Sequence, residues 1–168
     1  MKKLFLCAAL AVFAFTSVDA QSFGAKAGVD LASNKVEFEE FSSTVSETGF
    51  YVGFFAQFDI NEQFAFQPEV MYVAVKDLDQ IHIPLMANYS ISEEFSVLAG
   101  PSLGIILDTE EEMNSLNYGL EFGAAYDITE EFLVEARYNI GLANLIEDAP
   151  DDLSSKLSGF FIGVGYRL

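Results

Sequence analysis

The sequence predicts an all-β fold: an eight-stranded antiparallel transmembrane up-and-down β-barrel preceded by a cleaved N-terminal signal peptide. Three observations carry this expectation. First, residues 157–168 alternate strictly. Phe160, Ile162, Val164, Tyr166 and Leu168 are apolar or aromatic, and Gly159, Phe161, Gly163, Gly165 and Arg167 fall between them. A period of two is a strand, and a strand with one wholly apolar face and one small or charged face suits lipid outside and a packed lumen inside. Second, the chain is rich in apolar residues (51%) yet strongly acidic, with a net charge of −18. Beyond the N-terminal segment it has no apolar run long enough for a membrane helix, so its hydrophobicity must be carried by alternation. Third, a short pattern recurs between alternating runs. It reads Asp59-Ile60-Asn61-Glu62-Gln63-Phe64, Ser90-Ile91-Ser92-Glu93-Glu94-Phe95 and Asp127-Ile128-Thr129-Glu130-Glu131-Phe132.

Residues 1–20 read as the signal peptide. Lys2 and Lys3 start it, residues 4–15 form its apolar run, and Val18-Asp19-Ala20 supplies a small-x-small cleavage site before Gln21. Cys7 lies inside the apolar run, far from that site, which disfavours a lipoprotein. Residues 21–168 then form one barrel domain, without cysteine and more acidic still than the whole chain. That acidity argues against nucleic acid or anionic lipid as a partner held by a basic patch.

Eight strands are expected at roughly 22–33, 48–60, 63–75, 80–91, 95–107, 116–128, 132–145 and 157–168. Each is long enough to cross a bilayer at a tilt. The second presents Phe50, Val52, Phe54, Ala56, Phe58 and Ile60 outward. The sixth presents Leu116, Tyr118, Leu120, Phe122, Ala124, Tyr126 and Ile128, and the seventh Phe132, Val134, Ala136, Tyr138, Ile140 and Leu142. The three repeated segments are tight turns at one end. Longer acidic loops, 34–47, 76–79, 108–115 and 146–156, join the strands at the other. Both termini then share the short-turn end, which faces the periplasm in a bacterial outer membrane. Pairing Ile128 with Phe132 sets Ala125 opposite Glu135 and Gly123 opposite Arg137; pairing Val75 with Gln80 sets Val73 opposite His82. Phe58, Phe64, Tyr89, Phe95, Tyr126 and Phe132 gather at the short-turn end as an interfacial girdle. A soluble β-sandwich is the competing fold, but it needs neither an export signal nor outer faces this apolar.

Several stretches resemble the PorT-type family of small outer-membrane β-barrels. They are Gln67-Pro68-Glu69-Val70-Met71-Tyr72, Ile83-Pro84-Leu85 with Tyr89, Ala99-Gly100-Pro101 with Gly104, Arg137-Tyr138 with Gly141-Leu142, and Gly163-Val164-Gly165-Tyr166-Arg167. They follow the family order over nearly all of residues 21–168. The resemblance implies an outer-membrane barrel and little about activity. The last strand also resembles the signal read by the barrel-assembly machinery, through Gly163, Tyr166 and Leu168, although many family members end in Phe.

Side chains fill the lumen of an eight-stranded barrel. The inward set includes Lys26, Asp30, Gln57, Gln67, Glu69, His82, Asn88, Glu121, Asp127, Glu135, Arg137, Asn139 and Arg167. Glu69 and Arg137 stand at equal heights above their turns on opposite strands. They are expected to pair across the lumen, with Glu121 and Glu135 completing a charge network, because buried charges need partners. His82 is the only histidine, and Ser102 is the one serine that can be brought toward it. A Ser102–His82 pair would suit a lipid-hydrolysing enzyme, but no acid partner is evident. One histidine and no cysteine in 21–168 disfavour a transition-metal site, and no cofactor is implied. Glu110-Glu111-Glu112, Asp148 and Asp151-Asp152 lack the ligand spacing of a calcium loop. The inward glycines read as room for a crowded lumen, not as a phosphate cradle.

The leading functional expectation is a non-enzymatic outer-membrane protein with a plugged lumen and acidic loops facing outward. Its surroundings would be outer-membrane lipid and lipopolysaccharide, with the assembly machinery as a partner during biogenesis and a surface protein or polysaccharide as a further partner. The first loop, with Glu37, Phe38, Glu39, Glu40 and Phe41, is the candidate recognition surface, since exposed aromatics favour contacts. Alternatively, Phe38 and Phe41 extend the first strand above the membrane. A narrow channel and a lipid-modifying enzyme are the other two classes.

Overall fold

A computed structural model describes residues 21–38, 41–76, 78–107, 114–146 and 153–168. It contains eight strands: β1 (Gln21–Phe38), β2 (Phe41–Asp59), β3 (Phe64–Ala74), β4 (Gln80–Ser90), β5 (Phe95–Ile106), β6 (Leu116–Asp127), β7 (Phe132–Gly141) and β8 (Leu153–Arg167). Each pairs antiparallel with its chain neighbour, and β1 pairs with β8, so the sheet closes. Closure leaves the barrel wall without an edge, which a bilayer core demands.

The alternation places the two faces as the sequence predicts. In β7, Phe132, Val134, Ala136, Tyr138 and Ile140 are exposed, and Leu133, Glu135, Arg137, Asn139 and Gly141 are buried. The outward residues of β8, Phe160, Ile162, Val164 and Tyr166, are exposed in the same way. Apolar groups therefore cover the outside, and the core is the lumen itself. One apolar cluster holds Tyr51, Met71, Val73, Val75, Ile106, Leu145, Leu157 and Phe161. A second holds Phe55, Met86, Leu98, Ala125 and Leu133. Charged side chains lie between the two: Glu69 is two residues from Met71, and Glu135 is two residues from Leu133.

The repeated segments are turns with a common chemistry. Ile60, Ile91 and Ile128 each donate a backbone N–H to the carbonyl of the following Phe, at 2.8, 2.9 and 2.8 Å. The small polar residue explains its recurrence. Asn61 Oδ1 accepts from the Phe64 N–H at 2.9 Å, Ser92 Oγ from Phe95 at 3.0 Å, and Thr129 Oγ1 from Phe132 at 3.0 Å. Each side chain satisfies a backbone donor that the turn would otherwise expose.

Three sequence expectations about strands and register are corrected. Residues 34–38 and 41–47 are strand, not loop. Glu37 and Phe38 belong to β1 and Phe41 to β2, with Phe38 opposite Phe41; Glu39 and Glu40 lie outside the described residues. The last strand starts at Leu153, not 157, and β7 ends at Gly141, not 145. The β3–β4 register sets Val73 opposite Gln80 and Met71 opposite His82, two residues from the expected pairing. A shift of two keeps every side chain on its own face, so alternation could not have revealed it. The β6–β7 register has Ala125 opposite Glu135 and Gly123 opposite Arg137, as the sequence predicts.

Candidate functional site

Arg137 is the centre of the lumen. It is fully buried, and its guanidinium reaches three carboxylates. Nη1 lies 2.9 Å from Glu69 Oε2 and 3.0 Å from Glu121 Oε1, and Nη2 lies 3.2 Å from Glu135 Oε1. A guanidinium suits this place because its planar fork can serve several acceptors at once. The structure thus brings together all four residues of the expected network.

It also adds Lys26, Gln67 and His82, which the sequence placed inward but outside this network, and Tyr51, which the sequence reading did not single out. Lys26 Nζ donates to Glu69 Oε1 and Glu135 Oε2, both at 2.9 Å, tying β1 to β3 and β7. Tyr51 OH donates to Glu135 at 3.1 Å, and Gln67 Nε2 to Glu69 at 2.7 Å. His82 Nε2 lies 2.8 Å from Glu121 Oε2, and the His82 ring stacks on Phe161 at 5.4 Å. Glycine makes the room. A Cβ on Gly163 would collide with the Tyr51 hydroxyl that reaches Glu135. Nearer the short turns, Arg167 Nη2 lies 2.8 Å from Asp127 Oδ1, partly exposed to solvent.

Ser102 and His82 do not pair. Ser102 lies opposite Pro84, and its hydroxyl accepts from Asn139 Nδ2 at 2.5 Å, while His82 is engaged by Glu121. Ser102 therefore does not stand as a nucleophile activated by His82. Among the described residues no group of three or more His, Cys, Asp or Glu side chains could hold a metal ion. Glu110-Glu111-Glu112, Asp148 and Asp151-Asp152 lie outside the described residues, as do residues 1–20.

At the end away from the short turns the wall is uneven. The β2–β3 pairing stops at Phe50–Ala74, but β1–β2 continues to Phe38–Phe41. The β7–β8 pairing stops at Asn139–Gly159, but β1–β8 continues to Phe38–Leu153. The β1–β2 hairpin and the start of β8 therefore project beyond the barrel as a β8–β1–β2 sheet, whose β8 edge stays tied to the chain after β7 up to Ser155, where Leu145 N–H donates to the Ser155 carbonyl at 2.9 Å. Its β2 arm, residues 42–48, is exposed throughout. Nine residues of strand, 41–49, span about 30 Å along the chain.

A closed barrel, apolar outside and ion-paired inside, defines a membrane-spanning β-barrel protein. The chain belongs to the outer membrane protein beta-barrel domain family, whose model matches residues 5–167. That family places it in the bacterial outer membrane. No curated protein matches the sequence. Among solved structures it is similar to Ail, the attachment invasion locus protein of Yersinia pestis, with 16% identity and a TM-score of 0.52 over 89% of this chain and 100% of that one. Neisserial surface protein A gives 16% identity and a TM-score of 0.49 over 89% and 99%. OprG of Pseudomonas aeruginosa gives 14% and 0.48 over 90% and 97%.

Proposed function

We propose that this protein is a non-enzymatic surface-interaction barrel of the PorT type, in which the plugged wall is an anchor and the projecting β8–β1–β2 sheet is the contact surface. The carrying observation is the contrast between the two ends of the molecule. The short-turn end is tied off by three backbone-bonded turns. The opposite end raises a sheet with exposed polar residues, including Lys35, Glu47 and Lys156. With both termini periplasmic, that sheet stands outside the cell, with the backbone of Glu37 and Phe38 in β1 and of Phe41 in β2 at its described tip. Residues 1–20 direct export, and Gly163, Tyr166 and Leu168 present the last strand to the assembly machinery. Lipid and lipopolysaccharide surround the wall.

One solved Ail structure holds the heparin analogue sucrose octasulfate. A net charge of −18 turns this chain away from such a polyanion. A basic protein, a cation or an uncharged polysaccharide fits its surface better. The lumen network argues against the channel reading, since Arg137, Glu69, Glu121, Glu135 and Lys26 interlock across the bore.

The test shortens the sheet without disturbing the barrel. Replacing residues 36–43 by Asn-Gly closes the hairpin at Lys35–Thr44, a register the native pairing already holds. Pull-down from outer membranes should lose the partners captured by the intact protein. An unchanged partner set would refute the contact surface.

A further inference from the structure

Beside the Arg137 network lies a cavity of about 10 Å³, lined by Asp30, Gln80, His82, Asn117, Gly159 and Phe161 among others. Four of these side chains, each at most 5% exposed, carry an atom without a hydrogen-bond partner: Asp30 Oδ1, Gln80 Oε1, Asn117 Oδ1 and His82 Nδ1. They come from three strands, β1, β4 and β6. The amide oxygens of Gln80 and Asn117 accept, and so does Asp30 as a carboxylate. His82 Nδ1 accepts as well when Nε2–H donates to Glu121. Four acceptors thus line a space sized for one water molecule. A water donates two hydrogens and leaves two acceptors unmet, whereas a cation satisfies all four.

Charge points the same way. Among the described buried side chains, Lys26 and Arg137 oppose four carboxyl groups, those of Asp30, Glu69, Glu121 and Glu135. The donors select the kind of cation. Calcium takes six to eight oxygens, and magnesium keeps several waters that this space cannot hold. Structural zinc is closed by four strongly bound Cys or His ligands, and here a single imidazole is present. We propose that the cavity binds one monovalent metal cation of sodium size, held by Asp30, Gln80, Asn117 and His82. Gly159 keeps the space open, since a Cβ there would lie 2.6 Å from Asp30 Oδ1.

The experiment uses the folded full barrel in detergent with sodium as the probe. The 23Na line should broaden with a saturable component, and the heat-induced gel-mobility transition should lie at least 5 °C higher, by order of magnitude, in NaCl than in N-methylglucamine chloride of equal ionic strength. Gly159→Ala keeps the net charge, so diffuse counterions at the acidic surface remain, but both sodium effects should vanish. Gln80→Met serves the same purpose if the alanine variant fails to fold. Equal sodium effects in wild type and the folding-competent variant would reduce the signal to surface counterions and overturn the site. So would an unshifted wild-type transition, which leaves water as the occupant, or a transition raised by calcium, magnesium or zinc and not by sodium.

Discussion

Removing the Arg137 guanidinium tests the lumen most directly. Arg137→Met keeps most of the volume and deletes the charge. Afterwards Lys26 still holds Glu69 and Glu135, each at 2.9 Å, and His82 still holds Glu121. Three buried carboxylates then share one lysine and one histidine. Breaking a buried ion pair by removing one partner costs about 3–5 kcal/mol, and the complete burial of Arg137 places this change in that range. Glu69→Gln is milder, about 1–3 kcal/mol, because Arg137 keeps Glu121 and Glu135. If the two residues act through each other, the double variant loses less than the sum by about 1–3 kcal/mol. The chain contains no tryptophan, so urea titrations in detergent should be followed by far-ultraviolet circular dichroism and gel mobility. Losses additive to within about 0.5 kcal/mol would refute the coupling.

The partly exposed Arg167–Asp127 pair should matter far less; Arg167→Met is expected to cost under about 1 kcal/mol in the same titration. Gly163→Ala should destabilise by about 1–3 kcal/mol through overpacking against Tyr51, and Tyr51→Phe in that background should recover part of it. Phe122→Arg, on the outward face near the middle of β6, should cost about 2–4 kcal/mol in a bilayer, read by folding into vesicles against urea. Planar-bilayer recordings of the intact barrel should show no steady conductance, and open currents like those of a water-filled pore would contradict the plug.

The legible part of this sequence is the part where the two faces of a strand meet different surroundings. Between Phe50 and Ile60, or Phe132 and Leu142, one face meets lipid and the other a packed lumen, so alternation records both strand and orientation. Residues 42–48 have water on both faces, so Ser42, Ser43, Thr44, Val45 and Ser46 carry no such period and read as loop. The β3–β4 register escaped for a different reason, since the connection after Val75 sets it and a shift of two leaves the face pattern intact. Contacts across the lumen depend on the stagger of strands that are not neighbours. Glu69 and Arg137 could be matched by height above equivalent turns. Lys26 lies on β1, which no repeated turn precedes, and His82–Glu121 skips over β5, so neither contact could be placed from the sequence.

The same chemistry explains why one barrel can hold both a fixed interior and a variable rim. In the network around Arg137 the ionic groups are committed to several strands at once: Lys26 joins β1 to β3 and β7, and Arg137 joins β7 to β3 and β6. A change there propagates through four strands, because Glu69 and Glu135 are each shared between Lys26 and Arg137 and Glu121 is held by Arg137 as well. On the projecting sheet, side chains of residues 42–48 point into solvent, and only β1 pairs with that stretch of β2 among the described residues. Substitutions on such a surface usually change stability by less than about 0.5 kcal/mol. The wall is therefore constrained by the network it encloses, whereas the sheet above it can change its side chains, and with them its contacts, at little cost to the fold.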